Sequence, residues 1–172
     1  MAGPSLPAIW KGAAPDPLGF PALYDGLIWR RALAYLIDAV IIGLLLLMAW
    51  SGLVLLGFLT FGLLWHLLPL AAWAVPLGYH ALLVGGPQSG TVGMRLTDLE
   101  VRTWTGGRPG VGQALLMAAL FYATVMPTGF LVLLLVLFND RRRTLHDYLS
   151  GVVVVRRSQH HSLVMPPLAA AR

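Results

Sequence analysis

Between Ala32 and Val84 the chain carries one formal charge, Asp38. A bilayer crossing needs about 20 consecutive apolar residues, so this run is long enough for two crossings and has to fold back on itself. No water-soluble fold has room for such a stretch. The composition agrees: 58% of residues are hydrophobic and 11% charged, against roughly 45–50% and 25% in soluble domains. The chain therefore reads as an integral membrane protein. Its twelve Lys and Arg against seven Asp and Glu leave a net charge of +5. Those cations flank the apolar runs, as in cytoplasmic loops, and no basic face interleaved with exposed aromatics is present to follow a nucleic-acid backbone. With no cysteine, disulfides, thiol redox centres and thiolate metal sites are excluded.

Punctuation sets the organisation. Pro4, Pro7, Pro15 and Pro17 break residues 1–23 into a flexible leader without the apolar core of a signal peptide. Gly and Thr between Ser51 and Gly62 place the turn of the long run there, with a first helix near Trp29 to Leu53 and a second near Phe61 to Leu83 bent by Pro69 and Pro76. Gly85-Gly86-Pro87 ends the second helix. In the polar stretch Gln88 to Gly112, the alternation through Leu99, Val101 and Thr103 predicts a short strand reaching the turn at Gly106-Gly107, and the β-branched run Gly151 to Val155 offers a partner. The third apolar run, Gln113 to Phe138, is divided by Pro127-Thr128-Gly129. It either crosses once or turns back as a re-entrant hairpin, and the positive-inside rule together with strand pairing favours the hairpin. The expected fold is an all-α integral membrane protein: two transmembrane helices, a third transmembrane or re-entrant helical segment, and a minor cytoplasmic strand pair. Residues 24–156 form its membrane domain, followed by a flexible tail at 157–172.

Asp38 is costly where it stands, at least about 2.5–3.5 kcal/mol on insertion scales, so it needs a partner. Arg31 lies seven residues earlier on nearly the same helical face, roughly 10 Å away along the axis; a cation from another segment is the alternative. A structural latch outweighs an ion or proton site, because no second carboxylate lies in the helices. His66 and His80 could relay a proton or donate to Asp38, although a satisfied structural histidine is the plainer reading of each. Gly90-x-x-Gly93 with Arg95 reads as a tight turn and not a phosphate cradle, since the P-loop ending is missing. His146-Asp147 comes without a nucleophile, so no catalytic site is expected. Asp147 is expected at the membrane interface, paired with Arg95. Arg141, Arg142, Arg143, Arg156 and Arg157 would hold the topology and attract anionic headgroups, at about 1 kcal/mol per cation. His160-His161 is expected to be solvated; neither a metal nor a cofactor is expected.

Three segments in order, Trp29-Arg30-Arg31-Ala32-Leu33-Ala34-Tyr35-Leu36-Ile37-Asp38, Gly90-Thr91-Val92-Gly93-Met94-Arg95-Leu96 and Thr144-Leu145-His146-Asp147-Tyr148-Leu149-Ser150-Gly151, resemble the RDD family, small bacterial membrane domains named for one arginine and two aspartates. Val101-Arg102 and the Gly106-Gly107-Arg108-Pro109 turn continue the likeness. The resemblance assigns the signature to Arg31, Asp38 and Asp147. Met94 stands where the family usually has lysine, and Gln113 to Ala119 lacks the arginine the family tends to carry there. The resemblance implies residence in the bacterial cytoplasmic membrane and little chemistry. The expected role is a non-enzymatic accessory or interaction module in contact with anionic lipid and with itself or a membrane protein partner. The alternative is an oligomeric cation/proton transporter, for which the family's most concrete proposal is sodium/proton exchange.

Overall fold

The structure is a computed structural model, and it describes residues 9–10, 12–128, 131, 136–137 and 140–164. Helix α1 runs over Leu27–Leu59. Its 33 residues rise about 50 Å, well beyond a hydrocarbon core of about 30 Å. The turn that follows falls at the late end of the expected Ser51 to Gly62 window, so α1 runs on past the expected Leu53 to Leu59. Gly52 and Ser51 stay helical, and the chain reverses only at Phe61 and Gly62, both at positive φ. Helix packing decides the position: the Trp65 indole lies against Gly57, where a Cβ would overlap the ring, and its Nε1 donates to the Val54 carbonyl at 3.3 Å. A 3-10 turn over Leu63–Leu67 leads into α2, Leu68–Val84. Pro69 does not bend α2, because it sits in the first turn where no intrahelical N–H is needed; Pro76 alone lies inside.

A one-turn helix α3, Val92–Leu96, replaces the expected tight turn at Gly90-x-x-Gly93. Thr91 caps it, its Oγ1 accepting the Met94 N–H at 3.2 Å. Strand β1, Leu99–Thr103, then precedes helix α4, Val111–Thr128, the short α5, Leu145–Leu149, strand β2, Val152–Arg156, and α6, Arg157–Val164. The strands pair antiparallel with Val101 opposite Val154, as expected from the alternation and the valine run. Arg143 lies 4.6 Å from the Trp104 ring centroid, so the chain has returned beside the end of β1 before α5 begins. Both flanks of the third apolar run therefore lie at one end of the molecule, the arrangement the hairpin reading requires. The second half of the expected hairpin, with Gly129 of its expected turn, lies mostly outside the described residues.

The dry core is at that same end. Leu99, Val101 and all four valines from Val152 to Val155 are buried with Leu23, Leu27, Val84 and Ala114. Parts of the leader and tail, both expected to be flexible, adjoin this core. In the described part of the leader, Trp10 and Ala14 are buried, and the described part of the tail is helix α6 with His160 buried. The strand pair has two faces to cover, and these two segments meet over the one that carries Glu100.

Candidate functional site

Asp38 is on the stripe Ala34, Asp38, Ile42 that α1 buries, against α3. The close approach needs Gly93, because a Cβ there would overlap the Ala34 carbonyl oxygen. Three donors converge on the carboxylate: Tyr79 Oη at 2.6 Å and the Gly93 N–H at 2.8 Å on Oδ1, and Thr91 Oγ1 at 2.5 Å on Oδ2. None is a cation, which corrects the expectation of an Arg31 or other cationic partner. Neutral donors from α2 and α3 suffice because a carboxylate accepts charge-assisted hydrogen bonds strongly. Tyr79 and Thr91 escaped the sequence reading. Only Thr91, an N-cap residue type followed by a short apolar stretch, carried a usable signal.

Arg31 turns instead to Asp147, with Nη1 to Oδ2 at 2.7 Å, across 116 positions of sequence. Asp147 is fully buried and accepts the Thr144 N–H at 3.0 Å, closing the first turn of α5. Burial alone would raise this carboxyl, but Arg31, His146 and the Thr144 N–H bring it below the usual carboxylate range. The expected partner, Arg95, donates to the Thr91 carbonyl; α3 orients it along its own turn. His146, buried, binds Thr144 Oγ1 through Nε2 at 2.8 Å, and burial pushes its pKa down.

The arginine cluster divides. Arg143 is internal: Nε donates to Val152 O at 2.9 Å, Nη2 to Asp147 O at 3.0 Å, and its guanidinium stacks on Trp104 and Tyr148. Burial lowers its pKa, although Asp147 acts in the opposite sense. Arg156 binds Asp98 at 3.2 Å, a group that also accepts the N–H and hydroxyl of Ser158. A headgroup role thus does not fit Arg143 or Arg156. Arg141 binds Pro15 O, and Arg142 donates to Leu137 O. Arg157 gives its backbone N–H to Asp98 O.

At the outer face of the strand pair, Arg102 grips Glu100 with Nε at 3.1 Å and Nη2 at 2.9 Å. His160 Nδ1 contacts the same carboxylate, and His160 Nε2 accepts from Trp10 Nε1 at 3.1 Å. His160 is thus a buried connector of leader, strand and α6, not a solvated tail residue. Burial opposes the charge on Glu100, yet the bonds from His160 and Arg102 hold it down to about 2. Glu100, His160 and His161 bring donor atoms within 4.8 Å of one another. The set suits a metal poorly, because Arg102 already neutralises the carboxylate and Trp10 needs the free His160 nitrogen.

Between α1, α2 and α4 lies a cavity of about 670 Å³. Asp38, Tyr35, His80, Phe121 and Tyr122 face it, and Arg31 and His146 bound one end. His80 donates Nδ1–H to Pro76 O at 2.9 Å and makes no hydrogen bond to Asp38. His66 does not join them: it is exposed on the 3-10 turn beyond the far end of α1. Of the expected site residues, Asp38 and His80 share the cavity, Arg31 and Asp147 form the ion pair, and His66 stands apart.

Fold and site together define a small helical protein with, among the described residues, three helices long and apolar enough to cross a membrane, in which the buried carboxylates Asp38 and Asp147 tie α1 to α3 and α5. The RDD family model matches residues 26–151, well over half of the chain, and the chain belongs to the RDD family. That membership and the apolar helices fit a membrane protein. No curated protein and no solved structure matches the chain.

Proposed function

We propose that the chain is a non-enzymatic accessory module of the bacterial cytoplasmic membrane, working through association with a membrane protein partner or a second copy of itself. One observation carries the reading: the signature carboxylates are occupied internally, Asp38 by Tyr79, Thr91 and Gly93 and Asp147 by Arg31 and Thr144. Groups held between segments in this way act as latches. The three cation-bearing flanks then face the cytoplasm by the positive-inside rule, with Arg142 and Arg157 nearest anionic headgroups, and nucleic acid is no partner. The second reading, an oligomeric sodium/proton exchanger, draws support from Asp38 lining the cavity. Sodium and proton flux in proteoliposomes separates the two. The accessory reading predicts no flux above empty vesicles; saturable sodium-driven proton movement that Asp38→Asn abolishes would replace it with the exchanger.

A further inference from the structure

The cavity between α1, α2 and α4 combines three properties that select a class of ligand. Its volume, about 670 Å³, lies within the roughly 300–1,000 Å³ of small-molecule sites. Its aromatic wall is continuous: Phe121 packs with Tyr35 at 5.8 Å between ring centroids, with His80 at 6.4 Å and with Tyr122 at 5.1 Å. Its charge is negative, because Asp38 has no cation within ion-pair distance among the described residues, whereas Arg31 at the rim is neutralised by Asp147.

We propose that this cavity binds a lipophilic organic cation, an ammonium or phosphonium carrying apolar substituents, held between Asp38 and the rings of Tyr35, Phe121 and Tyr122. A carboxylate offers about four lone-pair positions, and three here are taken by Tyr79, Thr91 and Gly93; one remains for charge–charge attraction toward the cavity. The aromatic faces add cation–π attraction, strongest for a cation already poorly hydrated. A small hard cation fits worse, since it asks for about six oxygen ligands and the hydroxyls of Tyr79 and Thr91 already point their hydrogens at Asp38. Ile42, Leu46 and Met117, also on the wall, suit apolar substituents. The proposal does not depend on whether the module has a protein partner or moves ions.

Tetraphenylphosphonium and tetraphenylborate, nearly equal in size and opposite in charge, test it on the full chain in nanodiscs, with empty discs subtracted. Saturable tetraphenylphosphonium binding that tetraphenylborate does not displace is expected. Asp38→Asn, whose remaining oxygen still accepts from Tyr79 and Gly93 while its amide nitrogen can donate to the Thr91 hydroxyl, lowers the affinity by roughly tenfold or more, and Phe121→Leu or Tyr122→Leu by roughly two- to tenfold. Equal uptake of both probes, or wild-type affinity in folded Asp38→Asn, overturns the proposal. Should Asp38→Asn fail to fold, unchanged affinity in both ring variants overturns it equally.

Discussion

The two ends of α1 live in different surroundings. Its first half contributes Leu27, Ala34, Asp38 and Ile42 to buried contacts, with Arg31 reaching α5. Beyond Ile42, Leu44, Leu47, Met48, Leu55 and Leu59 are exposed, a surface suited to lipid. In a bilayer, with no water to exclude between helices, apolar surface alone gives little drive to close them together. The specificity of the fold is therefore concentrated at the end where the strand pair, the buried carboxylates and the Gly93 contact lie.

If that is so, the cost of a substitution should follow this division. Asp147→Asn removes the partner of a partly buried guanidinium, and breaking such a pair costs about 3–5 kcal/mol; it should give the greatest drop in thermal stability in detergent. Gly93→Ala pushes a methyl into the Ala34 carbonyl and should cost about 1–3 kcal/mol through overpacking, read by the same unfolding assay. Acid should also act at this end. The Glu100 carboxyl is lower in the folded protein, about 2, than its unfolded value of about 4.3, so its contribution is full above the unfolded value. It is lost as pH falls toward 2, and Glu100→Gln should flatten the stability profile across that interval. Leu47→Ala, on the exposed half of α1, should change stability by no more than about 0.5 kcal/mol. A large loss there would mean that this surface packs against something other than lipid.

Legibility followed the same division. The long uncharged run, the strand pair and the signature residues could be read directly, because apolar length, β-branching and intramembrane charge are local properties. Partnership was not local. Arg31 and Asp38 share a helical face, which made them look like a pair, yet the guanidinium's shortest route is to Asp147, 116 positions away. Nothing near Asp38 in sequence indicates that Tyr79, and not the adjacent His80, turns toward it. The contacts of the leader and tail were hidden for a related reason: proline and a short polar segment weaken regular structure, but Trp10 and His160 meet over the Glu100 face of the strand pair. His66 and His80 looked equivalent as histidines of one expected helix, a relation that ended when α2 began only at Leu68.

The signature arginine holds α5, and Asp38 holds α3 through neutral donors. A double-mutant cycle in detergent tests this most directly, with Arg31→Ala, Asp147→Asn and Asp38→Asn combined in pairs and followed by thermal unfolding. The structure predicts coupling of about 0.5–3 kcal/mol between Arg31 and Asp147, and additivity between Arg31 and Asp38 within about 0.5 kcal/mol. Strong coupling of Arg31 to Asp38, with Arg31 and Asp147 additive, would contradict it.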